Sequence, residues 1–293
     1  MPSKASIEIR KTIVKDELNE DTPLPIERQA WEEAVLKTPL PAGIELENEH
    51  IGNVPCLWIR DEQCLKGCAI IYVHGGGLIV GSAITTRELG ARLTKNFHIP
   101  VLVVDYRLAP ENPYPAALED VKTVYRELIK QRYKPEQLIF GGDSSGGGLA
   151  LAAILALRDE GVCLPSSIFL ISPVVDLTCS GETMITRADV DPFTSQEVLI
   201  HCAQLYAQGA DINSPSISPL FAEMLDLPPM LIQVGDHEIL LSDSVRLAEK
   251  VNRAGSVATL KVWDTMWHVW HAYTGLPEAD EAIEEIRDFV SSQ

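Results

Sequence analysis

Short runs of β-branched and other apolar residues, each bounded by turn-forming residues, recur at Ile44–His50, Val54–Arg60, Cys68–His74, Pro100–Asp105, Gln137–Gly142, Ser167–Ser172, Met230–Gly235 and Val257–Trp263. They predict about eight strands. Between the later runs the apolar positions switch to helical spacing, at Thr85–Asn96, Ala116–Arg132, Ser145–Glu160, Leu240–Ala254 and Glu278–Val290. Strand alternating with helix predicts crossover connections and a mainly parallel sheet with helices on both faces. The expected class is α/β, in a single domain spanning 1–293.

Two segments fall outside the alternation. Ser3–Lys37 reads as two amphipathic helices broken at Pro23 and Pro25, and Asp176–Leu227 is helix and loop between two core strands. A stretch of about 50 residues without strand pattern is rarely structureless in a compact domain. The two segments, about 1–42 and about 176–227, are expected to form a helical cap over a site.

Composition narrows the function. The 293 residues are 46% hydrophobic and 23% charged, which is globular and excludes a disordered chain. The net charge of −18 opposes a polyphosphate partner, so nucleic acid is not expected, and it argues mildly against anionic substrates. No apolar run approaches the roughly 18 to 20 residues of a membrane span. The start, Met1-Pro-Ser-Lys-Ala5, lacks the basic-then-apolar plan of a secretory leader, so a cytoplasmic protein is expected. Six scattered cysteines with no C-x-x-C read as free thiols before a disulfide or a metal site. No H-E-x-x-H or comparable ligand cluster occurs, so no metal is expected.

Two glycine clusters each follow a predicted strand: His74-Gly-Gly-Gly77 and Gly141-Gly-Asp-Ser-Ser-Gly-Gly-Gly148. Neither continues as a P-loop, because no lysine follows at the required place, and neither completes G-x-G-x-x-G. The second holds G-x-S-x-G as Gly142-Asp-Ser-Ser-Gly146 between a strand and a helix. That setting suits a serine on a sharp strand-to-helix turn, where Ser144 projects above the sheet at a helix N-terminus. The bland alternative is a tight turn with Ser144 as an N-cap. In the first cluster, consecutive glycines can bring bare main-chain N–H groups close to a developing oxyanion; Gly76, Gly77 and the amide of Ser145 are the candidate donors. His74 reads as a hydrogen-bonding support of that loop before a base. The base must come later, and His268, a short loop after the last strand, is preferred to His271, where the chain turns helical. Leu78, Phe193, Trp267 and Trp270 flank these motifs and suggest an apolar pocket or ordinary packing.

With these residues in place the chain resembles the hormone-sensitive-lipase-like family of α/β-hydrolase esterases. The resemblance rests on His74-Gly-Gly-Gly-Leu-Ile-Val-Gly81, Asp105-Tyr-Arg-Leu-Ala-Pro-Glu111, Pro113-Tyr-Pro-Ala-Ala117, Gly142-Asp-Ser-Ser-Gly-Gly147 and His268-Val-Trp270, in order from about residue 65 to the C-terminus. It implies an eight-stranded α/β-hydrolase fold with a helical cap. It further implies hydrolysis of short to medium acyl esters through an acyl-enzyme, an apolar ester substrate, no cofactor and a possible homodimer. Two positions depart from the family's pattern. Ser145 stands where alanine is common, and Gly235-Asp-His-Glu-Ile-Leu-Leu241 stands where Asp-Pro-Leu is common. Counting back from Arg253-Ala-Gly255, which resembles the family's turn into the last strand, puts Glu238 on the acid, with Asp236 as the alternative. Lactone or amide hydrolysis, and a non-catalytic small-molecule receptor, are the competing readings.

Overall fold

The computed structural model describes residues 2–15, 22–131 and 133–293. The strands are β1 (Ile44–Ile51), β2 (Val54–Asp61), β3 (Ala69–Val73), β4 (Val101–Val104), β5 (Leu138–Asp143), β6 (Ser167–Ile171), β7 (Met230–Gly235) and β8 (Ala258–Trp263). They form one sheet in the order β1-β2-β4-β3-β5-β6-β7-β8. The pairs β1–β2 and β2–β4 are antiparallel and every later pair is parallel. The fold is that of the α/β hydrolases.

The helices are α1 (Lys4–Arg10), α2 (Leu24–Val35), α3 (Arg87–Phe97), α4 (Ala116–Lys130), α5 (Ser144–Asp159), α6 (Thr183–Thr186), α7 (Gln196–Ala207), α8 (Leu241–Arg253) and α9 (Pro277–Ser291). Strand periodicity sorts the core. Ala69, Ile71 and Val73 of β3 pack on one face with α4, α5 and α8, whereas Ile70 and Tyr72 pack on the other with α3 and α9. Strands buried on both faces explain why β3, β4 and β5 read as continuous apolar runs.

Several sequence-based boundaries move. Pro25 does not break a helix; it stands in the first turn of α2, where its missing N–H would have had no intrahelical partner. The earlier break falls between α1 and α2, and residues 16–21 lie outside the described part. The helix expected to reach Arg132 ends at Lys130, and Arg132 is likewise outside it. The 176–227 excursion holds α6, α7 and a short 3₁₀ turn at Pro219–Phe221. Among the described residues no helix is long and apolar enough to cross a membrane, and no disulfide joins the six cysteines.

The junction of β5 and α5 is packed closely against β3. A Cβ added at Gly146 would lie 2.1 Å from the His74 carbonyl oxygen and 2.3 Å from that of Val73, so α5 starts almost against the end of β3. Rigid main chain on both sides leaves no room to relax. Gly146→Ala is therefore expected to cost at least the ~1–3 kcal/mol of an overpacked core, read as a lower urea midpoint at unchanged slope. An unchanged midpoint would show that the two segments yield.

Candidate active site

The carboxyl ends of β5 to β8 converge, as the ends of parallel strands do where such sheets bind ligands. β5 ends at Asp143 and α5 begins at Ser144, which adopts the left-handed region at φ +52°. That backbone costs a non-glycine residue on the order of 1–3 kcal/mol and persists only where packing imposes it. Ser144 Oγ lies 2.9 Å from His268 Nε2. On the other side of the ring, His268 Nδ1 lies 3.1 Å from Glu238 Oε2. Ser144, His268 and Glu238 are thus one hydrogen-bonded series.

Glu238 is the third residue after β7 and is fully buried. Its other oxygen, Oε1, accepts the Gly235 N–H at 2.6 Å and the Ser172 hydroxyl at 2.7 Å. Burial pushes this carboxyl above the ordinary range, against the His268 hydrogen bond and charge and these two donors, all of which favour the ionised form. His268 is also buried. Burial alone would lower its imidazole, but the hydrogen bond and charge of Glu238 win, and the group is held above its ordinary value. With Glu238 ionised, Nδ1–H donates to it and Nε2 is left to accept the Ser144 hydroxyl proton.

The competing residues are occupied elsewhere. Asp236 Oδ1 accepts the Thr265 N–H at 2.6 Å and braces the loop that returns His268 from β8. His271 is buried, with Nε2 2.8 Å from Gln233 Oε1 and its carbonyl accepting Arg92 Nη1 at 2.6 Å. Burial first, then the Arg92 charge, drives its imidazole well below the ordinary value, so it is neutral. His74 Nδ1 donates to the Gly75 carbonyl at 2.8 Å, and its ring stacks on Tyr106 at 4.2 Å. It supports the glycine loop and does not reach Ser144.

Gly76 and Gly77 have φ of +115° and +63°, values open to glycine without strain. Together with Ser145 they line the same cavity as Ser144 and His268, a space of about 870 Å³. The Ser145 amide is in the first turn of α5 and has no intrahelical acceptor. Leu24 and Trp31 of α2 and Val198 and Leu199 of α7 form much of the apolar wall. Leu78 and Phe193 line it too, and the Phe193 ring is 5.2 Å from that of His268. Trp267 and Trp270 do not; they pack with Met266 and Leu276 in a separate cluster under α9.

Three polar residues escape sequence reasoning. Ser172 bridges Glu238 to the loop that carries His268, because its hydroxyl oxygen also accepts the Val269 N–H at 3.2 Å. Asp191 accepts Ile239 N–H at 2.8 Å and Phe193 N–H at 2.8 Å, joining the 176–227 segment to the residue after Glu238. Asp143 accepts Tyr72 Oη–H at 2.9 Å and Gly75 N–H at 3.2 Å. Ser172 follows a strand end, Asp143 stands inside the G-x-S-x-G stretch and Asp191 lies in the 176–227 excursion, and none of these positions announces its partners.

The pair geometry sets an expectation for titration. In an NMR titration His268 should protonate with a midpoint above the ~6.5 of free imidazole, and Glu238→Gln should bring that midpoint down. A midpoint indifferent to Glu238 would contradict the hydrogen bond.

A family description of the alpha/beta hydrolase fold matches residues 70–272. An acetyl-hydrolase of Streptomyces hygroscopicus is 39% identical over 241 residues, covering 82% of this chain and 80% of that protein. An esterase of Acinetobacter venetianus is 38% identical over 76% of this chain and 74% of its own length. A hormone-sensitive lipase from a metagenome library superposes with a TM-score of 0.94 at 36% identity, over 100% of this chain and 99% of that one. The chain belongs to the α/β-hydrolase fold family, among the serine carboxylesterases of bacterial hormone-sensitive-lipase type.

Proposed function

We propose that the protein hydrolyses neutral esters of short to medium acyl chain through an acyl-enzyme on Ser144. The observation that carries this reading is the Ser144–His268–Glu238 series opening into an apolar cavity beside the Gly76, Gly77 and Ser145 amides. His268 Nε2 takes the Ser144 proton as Oγ attacks the ester carbonyl. The three amides stabilise the oxyanion. Collapse expels the alcohol, which takes the proton from His268, and leaves the acyl group on Ser144. Water then attacks with His268 again as base, and the carboxylic acid is released. Glu238 holds the tautomer and stabilises the imidazolium without itself being protonated.

Residues of about 1–42 and about 176–227 act as the cap in this reading. The α2 and α7 side chains in the cavity wall support it, since they would contact the acyl or alcohol chain.

Ser144→Ala should fold and lose turnover of a nitrophenyl ester by at least about 10³-fold. Glu238→Gln should lower kcat by about 10⁴-fold, while Asp236→Asn, whose side chain holds the Thr265 amide and does not meet His268, should cost less than about tenfold. The reverse ranking would transfer the acid's role to Asp236. Because the base must be neutral, kcat/KM should fall towards acid through a midpoint above ~6.5.

Trp31→Ala should weaken turnover of hexanoate more than of acetate, measured as kcat/KM across an acyl series. Equal loss along the series would place Trp31 outside the chain-binding region.

A further inference from the structure

The amide of Gly77 is not held by its own residue alone. In a planar trans peptide the C=O of one residue and the N–H of the next point in opposite directions, so whatever holds the Gly76 carbonyl also aims the Gly77 N–H. The Gly76 carbonyl accepts two main-chain donors, Ile79 N–H at 3.1 Å and Val80 N–H at 2.9 Å. Val80 N–H in turn shares its peptide plane with the Ile79 carbonyl. That carbonyl accepts Nε of Arg28, on α2, at 2.7 Å.

A continuous series results: Arg28 Nε–H to Ile79 C=O, Val80 N–H to Gly76 C=O, then Gly77 N–H into the cavity. The rest of the guanidinium fixes its position. Nη2 donates to the Ala109 carbonyl at 2.8 Å, and Nη1 and Nη2 grip the two oxygens of Glu111 at 3.0 and 2.8 Å. The Ala109 N–H donates to the Leu78 carbonyl at 3.0 Å, so Arg28 spans two loops already joined to each other. The Glu111 ion pair alone would contribute little, since that carboxylate is half exposed. The two carbonyl contacts are what a lysine could not reproduce together.

We propose that Arg28 is a positioning residue for the oxyanion hole, acting through two peptide groups to aim and polarise the Gly77 N–H. This rests on the ester-hydrolysis reading above. A positive donor at the head of linked hydrogen bonds strengthens each donor along them. It also makes α2 part of the catalytic scaffold: the helix that lines the cavity with Leu24 and Trp31 holds the oxyanion loop with Arg28.

The test compares Arg28→Met, Arg28→Lys and Glu111→Gln with wild type, in steady-state ester hydrolysis and in affinity for a trifluoromethyl ketone that forms a hemiketal on Ser144. Removing one oxyanion donor outright costs about 10²–10³-fold, and misaiming one should cost less, about 10- to 100-fold in kcat. Arg28→Met should show that loss with KM within about threefold of wild type, and a parallel loss of ketone affinity. Arg28→Lys, which keeps one donor, should fall between, and Glu111→Gln should stay near wild type. A role confined to docking α2 would instead raise KM and spare ketone affinity, and that result would overturn the proposal, as would wild-type kcat in Arg28→Met. Should Arg28→Met fail to fold, Arg28→Lys decides by the same split between kcat and KM. Ketone binding by wild type but not by Ser144→Ala marks the underlying reading as sound whatever Arg28 does; no binding by wild type would sink both.

Discussion

A carboxylate with no access to water must find every hydrogen bond it needs in the protein, and Glu238 is such a group. Its partners come from three strand ends. Gly235 closes β7, Ser172 follows β6, and His268 follows β8. Satisfying one buried charge therefore fixes the relative position of three connections, and the fourth strand end, at β5, joins through Ser144. The sheet supplies the spacing, and the charge selects which loop conformations are allowed. Leaving any of these partners out would strand a buried polar group at a cost of about 1–3 kcal/mol, more for the charged one. The hydrogen bonds that position the His268 ring are the same ones that make the loops cohere.

Most of the fold is legible because apolar periodicity and glycine placement are local properties of the chain. Each strand announces itself within six or so residues, and the strand–glycine–helix order around Ser144 is contiguous. His268 is legible as the histidine after the last strand. Arg28, Ser172 and Asp191 are not, and the reason is physical. Their partners stand 51, 66 and 48 residues away, so their roles exist only after the chain has folded. A lone serine before a proline, or an arginine on an exposed helix, has no spacing that distinguishes it from a solvated residue. Pro25 is misread for a related reason: proline stops a helix only in its interior, and where a first turn lies is itself a boundary that sequence places to within a few residues.

The two ends of the chain's excursions meet the site in different ways. α1 and the 176–227 segment reach the His268–Glu238 side: Arg10 donates to the Val190 carbonyl, and Asp191 secures the residue after Glu238. α2 reaches the glycine loop through Arg28, and its C-terminal end is held by Arg87, whose Nη2 donates to the carbonyls of Val35 and Thr38. Segments that wall a cavity and also brace opposite halves of the polar machinery cannot shift without disturbing it. That contrasts with a lid, which would cover the site and touch none of its hydrogen bonds.

Two acids stand two residues apart after β7, and their chemistry alone cannot assign them. Position does. Asp236 immediately follows the strand and meets the Thr265 amide across the β7–β8 edge. Two residues further, past His237, whose N–H donates to the Met266 carbonyl, the chain has turned back beneath the sheet's end, and a side chain there meets Ser172 and His268. Ile239 and Leu240 follow fully buried and anchor the start of α8, which fixes how deep Glu238 sits. Exposure separates the two acids accordingly. The Asp236 side chain keeps 29% of its surface in water, where a carboxylate is well solvated and a poor electrostatic partner; Glu238 keeps none. A charge that is to stabilise an imidazolium strongly must itself be desolvated and held, and only one of the two positions meets both conditions.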